Sequence, residues 1–352
     1  MGVDLGGVAV KRPIEWSELH GRTIAVDAYN TLYQFLATIR QADGTPLLDE
    51  QGRVTSHLNG LFNRSANIVG AGILPVYVFD GAHHPLKRAT IELRSQVKER
   101  ARAAYDAALK AGDLATARSK AQQTSSLTKP MVEQAKHLLR LLGLPYVDAP
   151  GEGEAQASSM VQRGQAYAVA SQDYDAILFG APRLVRNLSV TGRRKLPGRS
   201  AWVEILPEQI ALAETLDALR LTREQLIDAA LLIGTDYNPG VQGIGPKTAL
   251  ELVREHRSLE DLLEKAETEE GSVWRKLREG QDGLGDFEKI RNLFLEPPVS
   301  DTGPVVQGRL DEAGVRALLV NEHRFSADRV DSALAKYRQV KAQKQQRSLG
   351  DW

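Results

Sequence analysis

Acidic residues at short, regular spacing are the first candidates for chemistry in this sequence. Glu152 and Glu154 stand two residues apart in P-G-E-G-E-A-Q, and Asp173 and Asp175 stand two apart in S-Q-D-Y-D. Two like charges about 4 Å apart repel by roughly 4 kcal/mol at an effective dielectric constant near 20. Clustered carboxylates therefore either become protonated or hold a cation. The stretch 150–179 accordingly predicts a divalent-metal site.

Three further acids extend this set. Asp27 and Asp80 each close a short apolar run, in R-T-I-A-V-D-A and P-V-Y-V-F-D-G, and Asp236 begins a glycine-rich loop. Because ligands bind outside the carboxyl ends of the strands in parallel sheets, we expect Asp27, Asp80 and Asp173 at such an edge. Magnesium prefers oxygen ligands and keeps several waters, so some of the seven acids are expected to act through water. Two such ions suit phosphodiester hydrolysis.

The two acidic pairs are expected to occupy different kinds of position. Asp173 and Asp175 follow a strand predicted over 166–171, where residues two apart share a face and can reach one metal. Residues two apart on a helix point in different directions. One of Glu152 and Glu154 is therefore expected to precede the helix that follows, or else the two serve different parts of the site.

Composition excludes several other kinds of site. Lys plus Arg and Asp plus Glu number 45 each among the 352 residues, so the net charge gives no hint of a nucleic-acid partner. The absence of cysteine excludes disulfides, thiolate zinc sites, iron–sulfur clusters and a cysteine nucleophile, and favours an intracellular protein. Residues 1–11 lack the features of a signal peptide, and no apolar run reaches the length of a membrane span, so no membrane association is expected.

The elements that must position the acids alternate between apolar strands and amphipathic helices. This pattern predicts an α/β fold with a mostly parallel central sheet and helices on both faces. Helices are expected over 31–41, from a Ser56 N-cap to about residue 69, and over 131–142. Further helices are expected over 207–219 and 222–233. The sequence shows no internal repeat.

Segment 85–129 departs from this alternation because it is rich in alanine and charge. It is predicted to be a helical excursion from the core, or alternatively a solvated pair of surface helices. Its apolar residues fall at roughly helical spacing and form a thin stripe. They are Ile91, Val97, Ala101, Tyr105 and Ala108.

The loop G-T-D-Y-N-P-G-V-Q-G-I-G-P-K places Pro246 at the first position of a predicted helix. Free backbone N–H groups at such a helix start can hold a phosphate, which predicts a grip on a duplex backbone without sequence preference. A purely structural helical hairpin uses similar glycines. His83 and His84 are interpreted as surface or structural residues rather than transition-metal ligands, because the site as a whole offers oxygen ligands.

Several motifs together resemble the flap endonuclease (XPG/Rad2) family, most closely its archaeal members. They are I-A-V-D-A, V-Y-V-F-D-G, G-E-G-E-A-Q-A, S-Q-D-Y-D, and G-T-D-Y-N-P with G-I-G-P-K, and the resemblance runs from residue 1 to about 337. It implies a structure-specific nuclease that removes 5' flaps from branched DNA in replication and repair, with 5'-3' exonuclease activity. It also implies two Mg²⁺ ions, with Mn²⁺ as a substitute, and a 5'-phosphate product. The alternatives are a non-catalytic branched-DNA or clamp-binding factor and a metal-dependent RNA nuclease or phosphatase.

The same resemblance implies roles for individual residues. The metal-site acids are Asp27, Asp80, Glu152, Glu154, Asp173, Asp175 and Asp236. Lys87 and Arg94 contact the scissile phosphate as catalytic residues, and a base near the cut stacks on Tyr33. Gly2, exposed by loss of Met1, lies near the site, so an N-terminal tag is expected to impair activity. Gly243, Gly245 and Lys247 belong to a helix-two-turn-helix element that binds duplex DNA with the help of K⁺.

The resemblance also implies a division of the chain. Residues 1–84 and 130–337 form the nuclease core, with the helix-two-turn-helix element at about 222–256. Residues 85–129 form the helical gateway or arch, and 338–352 form a flexible tail. In that tail, Gln346, Leu349 and Trp352 fit a sliding-clamp (PCNA) binding box that lacks its second aromatic residue. A monomer is expected, cytoplasmic in an archaeal source and nuclear in a eukaryotic one.

Two departures from the family pattern concern the site itself. Gly151 stands where the family usually has serine, which alters the backbone before Glu152 without removing a ligand. Ala82-His83-His84 replaces a proline-containing turn after Asp80, at the entry to the predicted gateway.

Overall fold

The structure, a computed structural model, describes residues 3–188, 193–195 and 202–350. Its strands are β1 (Lys11–Pro13), β2 (Thr23–Asp27), β3 (Leu74–Phe79), β4 (Tyr146–Asp148), β5 (Ala168–Ala170), β6 (Arg183–Arg186), β7 (Arg193–Lys195), β8 (Trp202–Glu204) and β9 (Glu208–Ala211). The predicted α/β class is confirmed. Seven strands, β1 to β6 and β9, form one mixed, mostly parallel sheet, while β7 and β8 form a separate antiparallel pair.

Fifteen α-helices accompany these strands within the described ranges. They are α1 (Ala28–Thr38), α2 (Ser56–Gly70), α3 (Arg88–Lys110), α4 (Leu114–Gln123), α5 (Lys129–Leu142), α6 (Gly153–Gln162), α7 (Asp175–Leu178), α8 (Leu212–Leu219), α9 (Arg223–Ile233), α10 (Pro246–Glu255), α11 (Leu259–Ala266), α12 (Ser272–Glu279), α13 (Phe287–Leu295), α14 (Glu312–Arg316) and α15 (Ala327–Gly350). Short 3-10 turns cover Trp16–Leu19, Pro85–Lys87 and Gln281–Leu284, and a π-helical turn covers Ala317–Glu322. In the part of the chain that the structure describes, no helix has both the length and the apolarity to cross a bilayer.

The chain divides into two compact units, each assembled from three separate stretches. The first unit comprises Met1–Glu15, Val78–Glu92 and Asp148–Thr302. The second unit comprises Trp16–Tyr77, Leu93–Val147 and Gly303–Trp352. These boundaries do not coincide with the segments 1–84, 85–129, 130–337 and 338–352, whose functional division stays a prediction.

In the first unit, four strands lie side by side in the order β1, β9, β6 and β5. Strand β9 pairs antiparallel with both β1 and β6, so that Ile210 lies opposite Lys11 and Leu184, whereas β5 and β6 are parallel. The helix predicted over 207–219 is therefore wrong in its first turn, because β9 precedes α8 there. The sequence gives little sign of β9, because this four-residue strand has only one fully buried position, Ile210, and its partner strands come from distant parts of the chain.

The helical part of the first unit confirms the predicted segment 222–233. Helix α9 begins after Thr222, whose hydroxyl accepts a hydrogen bond from Gln225 N while the Gln225 side chain accepts one from Thr222 N. This reciprocal pair satisfies two backbone donors at the helix start. Helix α9 packs against α10 and α13, and α11 packs against α12.

The second unit is built around α2, which packs against α1, α5 and α15. The prediction of Ser56 as the N-cap of α2 is wrong, because Thr55 holds that position. The Ser56 hydroxyl instead donates to the Ile39 carbonyl at 2.7 Å and accepts from Leu47 N at 2.9 Å. Helix α5 ends at Gly143 as predicted, where a φ of 66° suits glycine.

The charged segment after residue 85 forms the two helices α3 and α4. Tyr105 and Ala108 of α3 are buried with Ala117 and Ala121 of α4. Of the predicted stripe, Ala101, Tyr105 and Ala108 are therefore buried. Ile91 and Val97 are instead 38% and 49% exposed, so the stripe covers only the C-terminal half of α3.

Candidate functional site

The ammonium group of Lys87 lies among the predicted metal-site acids of the first unit. Its Nζ atom is 2.6 Å from Glu152 Oε2 and 3.3 Å from Asp236 Oδ2, and both ion pairs are largely shielded from water. Lys87 ends the 3-10 turn Pro85–Lys87, which leads directly into α3. Two acids more than eighty residues apart in the sequence are thus joined through one cation.

Three acids lie around the start of α6, where the backbone of Gly153 passes close to the Asp80 carboxylate. Glu152 is the N-cap of α6, and Glu154 lies in its first turn, so the prediction that one of them precedes the helix is confirmed. Gly153 N donates to Asp80 Oδ1 at 2.7 Å. A Cβ atom at Gly153 would stand 2.7 Å from that same oxygen, so a side chain there would displace the Asp80 carboxylate.

Asp173 and Asp175 lie in a tight turn beyond β5 rather than on the strand. The strand predicted over 166–171 ends at Ala170, and Ser171 Oγ accepts a hydrogen bond from Asp173 N at 3.2 Å. Asp175 begins α7, is buried, and accepts from Val3 N at 3.0 Å. The expectation that the pair shares a strand face is therefore wrong, because the chain has already left the strand.

Crowding of carboxylates changes the protonation of the site. Burial raises the pKa of Asp80 to about 6, with a further contribution from the Glu152 carboxylate. Burial also raises the pKa of Asp175 to about 7, with contributions from Asp236 and Asp173. The bonds from Gly153 N and Val3 N act in the opposite direction, as does Lys87. Five acids of the first unit, Asp80, Glu152, Asp173, Asp175 and Asp236, are therefore linked electrostatically through each other and Lys87.

The same carboxylates also change the pKa of Lys87. Burial alone would lower its pKa, but the carboxylates of Glu152, Asp236 and Asp80 outweigh this effect and raise the pKa of Lys87. Its Nζ lies 5.9 Å from the centre of the Tyr237 ring. Burial and the neighbouring carboxylates raise the pKa of Tyr237 as well. Lys87 is thus held in its charged form.

The donor set fits a hard divalent cation, although its side chains are not arranged as a finished metal site. Glu152 Oε1 is buried and accepts no hydrogen bond from any residue within the described ranges. Across those same ranges, no three Asp, Glu or His side chains converge with the spacing of metal ligands. Glu152 and Asp236 are instead paired with the ammonium group of Lys87. Oxygen-only donors with surplus negative charge suit Mg²⁺.

Other predicted residues belong to the second unit. Asp27 is buried at the end of β2 as predicted, and its Oδ1 accepts from Asn30 N at 2.9 Å as the N-cap of α1. That cap starts the helix at Ala28, three residues before the predicted segment 31–41. The Lys98 ammonium lies 5.1 Å from the centre of the Tyr33 ring, and Arg94 is half-buried on α3.

The glycine-rich loop joins α9 to α10 as the sequence predicts. Pro246 is the first residue of α10, and Lys247 follows it with an exposed side chain. Gly243 has a φ of 80°, which favours glycine, whereas Gly245 is the N-cap of α10. Lys276 of α12 donates to the Gly243 carbonyl at 3.2 Å, which adds a second cation beside this loop.

The turn after Asp80 carries the histidines that depart from the family pattern. His84 Nδ1 accepts from Leu86 N at 3.3 Å and so caps the turn that ends at Lys87. The His84 ring meets the Tyr237 ring edge-on, with centroids 6.3 Å apart. A cavity of about 220 Å³ opens beside them, lined by Ala82, His83, His84, Pro85, Pro150, Gly151, Glu152, Ala155, Phe179, Leu293, Pro297 and Pro298. His84 is therefore a structural residue of the site.

The predicted terminal residues are only partly covered. Gly2 and Trp352 lie outside the described residues, and so do the side chains of Gln346 and Leu349, whose backbone belongs to α15. Sequence reasoning also missed Tyr174, Arg186, Tyr237 and Lys276. The sequence carries one signal for two of them, since Tyr174 and Tyr237 each stand beside a predicted metal-site acid.

Comparison with known proteins gives consistent matches along the chain. Residues 5–101 match the XPG N-terminal domain, 143–236 match the XPG I-region, and 221–300 match the 5'-3' exonuclease C-terminal SAM fold. Flap endonuclease 1 of Pyrococcus furiosus is 47% identical over 100% of this chain and 99% of its own length. The corresponding protein of Methanocella arvoryzae is 48% identical, with complete coverage of both chains.

Solved structures agree with the sequence matches. Flap endonuclease-1 from Methanococcus jannaschii superposes with a TM-score of 0.73 at 40% identity, covering 97% of this chain and all of that one. The catalytic core of Rad2, solved in complex with a DNA substrate, gives a TM-score of 0.72 at 25% identity over 96% of this chain and all of that one. The chain therefore belongs to the flap endonuclease family, a family of metal-dependent, structure-specific nucleases.

Proposed function

We propose that this nuclease cleaves 5' flaps from branched DNA during replication and repair and also degrades DNA as a 5'-3' exonuclease. The single observation that carries the proposal is the group of five linked acids around Lys87 in the first unit. The reaction is phosphodiester hydrolysis with two Mg²⁺ ions, for which Mn²⁺ substitutes, and the product keeps a 5' phosphate. The relatives named flap endonuclease 1 support this choice of substrate.

The acids of the first unit are proposed as the metal-site residues. They are Asp80, Glu152, Glu154, Asp173, Asp175 and Asp236, and Asp27 is added on the strength of the sequence pattern. The buried Glu152 Oε1 supports a cation at this position, because a buried carboxylate oxygen without a partner is costly. Divalent cations, when bound, supply stabilisation of the charge on phosphodiester oxygens and activation of water.

Lys87 is proposed to act on the scissile phosphate. Its ammonium group is paired with Glu152 and Asp236, carboxylates that would hold a divalent cation. A positive charge near the scissile phosphate would stabilise the transition state. Arg94 is proposed to hold the same phosphate, with its planar guanidinium group suited to phosphate oxygens. Tyr33 is proposed as the stacking surface for a base near the cut.

The loop between α9 and α10 is proposed as the duplex grip. The start of α10 offers free backbone N–H groups, and Gly243 and Gly245 allow close approach of a phosphate backbone. Lys247 adds an exposed positive charge beside them. Five further points of the proposal rest on the sequence resemblance alone. They are a K⁺ ion in this loop, the sliding-clamp contact through Gln346, Leu349 and Trp352, the role of Gly2, the monomeric state and the cytoplasmic location.

Cleavage of four matched substrates tests the function. We expect the full chain with Mg²⁺ to cut a 5'-flap substrate faster than 3'-flap, nicked and single-stranded substrates, and a chelator to stop all cleavage. Asp173→Ala should abolish flap cleavage while duplex binding is largely kept. Asp301→Ala is the matched control, because that acid is exposed in the same unit. Equal rates on all four substrates would contradict structure specificity, and cleavage by Asp173→Ala would contradict the site.

The duplex grip is tested by its salt dependence. Lys247→Ala should lower the slope of log K against log salt concentration by about 1, because one phosphate contact is lost. Lys265→Ala, an exposed lysine of α11 in the same unit, is the control. An RNA nuclease, one of the alternatives, would instead cut the RNA versions of these substrates at the higher rate.

A further inference from the structure

Arg186 of β6 makes three contacts with the turn that carries Asp173 and Asp175. Its Nε donates to the Gln172 carbonyl at 3.1 Å, and its Nη1 donates to the Tyr174 hydroxyl at 2.5 Å. The guanidinium carbon also lies 4.4 Å from the centre of the Tyr174 ring. One side chain thus holds the backbone before Asp173 and the side chain between the two acids.

Tyr174 transmits this hold because it is itself buried. Its side chain is only 5% exposed, although it stands in a turn between two acids. The Lys11 ammonium lies 5.8 Å from the centre of its ring and donates to the Gly6 carbonyl at 2.5 Å. A Cβ atom at Gly6 would lie 3.1 Å from the Tyr174 hydroxyl, so the N-terminal segment passes close to the ring. Val3 N binds Asp175 from that same segment.

Arg186 is itself fixed from a neighbouring strand. Its Nη1 lies 3.9 Å from Glu208 Oε2, and Arg186 is paired with Glu208 in the antiparallel register of β6 and β9. The guanidinium group therefore has a carboxylate on one side and the acidic turn on the other. A lysine would keep the charge but lose the planar fork that reaches a carbonyl and a hydroxyl together.

We propose that Arg186 is a positioning residue that acts through Tyr174 to hold Asp173 and Asp175 in the geometry needed for divalent cations. The inference rests on the proposed function, in which these two acids are metal-site residues. Residues that orient metal ligands without touching the metal typically change metal affinity or activity by about 10- to 100-fold when they are replaced.

The same strand provides a matched control. Arg183 of β6 has its guanidinium carbon 4.5 Å from the centre of the Tyr167 ring and donates to the Tyr167 carbonyl at 3.1 Å. This pair repeats the stack of Arg186 on Tyr174. Tyr167, however, precedes β5 and has no metal-site acid as a sequence neighbour. A general loss of sheet stability would affect the two pairs alike, whereas a positioning role would affect only Arg186 and Tyr174.

The test measures Mn²⁺ binding to the full chain without DNA, by electron paramagnetic resonance, beside the kcat and KM of flap cleavage. Arg186→Lys is expected to weaken Mn²⁺ binding and lower kcat by about 10-fold or more, with KM nearly unchanged. Tyr174→Phe, which keeps the ring and the fold, should show a smaller loss of the same kind. Arg183→Lys and Tyr167→Phe should stay within about 2-fold of the parent chain in Mn²⁺ binding.

Two results would overturn the inference, and they have different meanings. Equal Mn²⁺ binding by Arg186→Lys and Arg183→Lys, while Asp173→Ala still loses Mn²⁺, would remove the positioning role and leave the proposed function intact. Unchanged Mn²⁺ binding by Asp173→Ala would remove the acids from the metal site and the inference with them. Thermal unfolding of each variant shows whether the compared chains are equally folded.

Discussion

Lys87 Nζ lies 2.6 Å from Glu152 Oε2, so a residue at the entrance to α3 neutralises the N-cap of α6. Asp236 and Asp80 contribute to the same field, and together these acids hold Lys87 in its charged form. The Lys87 ammonium group is thus part of the acidic site. Replacement of Lys87 is expected to have different consequences with and without Mg²⁺.

Replacement of Lys87 by methionine is expected to lower kcat for flap cleavage by on the order of 100-fold, because a positive charge near the scissile phosphate is lost. The same change should lower the melting temperature in a chelator, since buried carboxylates lose their counter-charge. Mg²⁺ should recover part of that loss. Differential scanning fluorimetry with and without Mg²⁺ measures both effects.

Lys289→Met is the control for this experiment. Lys289 forms an exposed ion pair with Asp286 at 2.5 Å, and exposed pairs contribute about 0 to 1 kcal/mol. A Lys87→Met protein that melts at the parent temperature in a chelator would contradict the role of Lys87 as the counter-charge of the buried carboxylates.

Replacement of Gly153 by alanine is expected to push the Asp80 carboxylate away from the start of α6. The added methyl would stand 2.7 Å from Asp80 Oδ1 and 3.3 Å from the Val78 carbonyl. Overpacking of this kind costs about 1 to 3 kcal/mol of unfolding free energy. Flap cleavage should fall as well. Gly7→Ala, whose methyl would meet no atom within 4 Å, should change neither quantity; equal behaviour of the two variants would contradict the close approach.

Replacement of Arg291 by methionine is expected to destabilise the helical part of the first unit. Arg291 donates to Asp228 Oδ1 at 2.7 Å and to Glu260 Oε1 at 2.6 Å, and the Asp228 side chain is buried. A buried charge left without its partner costs about 3 to 5 kcal/mol. The double variant with Asp228→Asn should regain much of the lost unfolding free energy, as measured by denaturant unfolding. No recovery would mean that the unpaired charge is not the cause of the loss. Arg275→Met, at an exposed arginine, is the control.

Acidification is expected to destabilise the second unit through His57. Burial lowers the pKa of His57 from 6.5 to about 4, with a further contribution from His323, and its Nε2 lies 3.1 Å from Gln134 Oε1. Because the folded state favours the neutral ring, its contribution is complete above pH 6.5 and is lost as the pH falls toward 4. The full loss is about 3 kcal/mol of unfolding free energy.

Denaturant unfolding at pH 7 and pH 4.5 measures this effect. His57→Gln should unfold with a weaker pH dependence than the parent chain, whereas His137→Gln, at an exposed histidine, should keep the parent dependence. Identical dependences for all three chains would show that His57 does not titrate as inferred.

Some local positions of the predicted site residues could be inferred from the sequence. Asp80 directly follows β3, as the apolar run before it indicates, and Glu152 precedes α6, which agrees with the expectation that one of the two glutamates lies before the helix. The turn around Asp173 was not predictable, because the apolar run gives no sign of where the strand ends. The confirmed family membership came from the order of several motifs rather than from any single one.

The rest depended on contacts between distant parts of the chain. Strands β1 and β9 have three and four residues, and their antiparallel pairing is set by partners that local periodicity cannot reveal. The ion pair of Lys87 with Glu152 likewise requires the folded chain. The position of Arg186 over Tyr174 follows from strand register, which sequence alone leaves open.

The assembly of the first unit from three separate stretches has a consequence for synthesis on the ribosome. Residues 3–15 leave the ribosome before the other two stretches, yet Val3 N binds Asp175 and Lys11 pairs opposite Ile210. These contacts cannot form until most of the chain has been made. The second unit can therefore form its contacts between α1 and α2 before the N-terminal segment reaches its partners. The acidic turn therefore gains its N-terminal partner late, and nascent chains that end before residue 210 cannot form the pairing of β1 with β9.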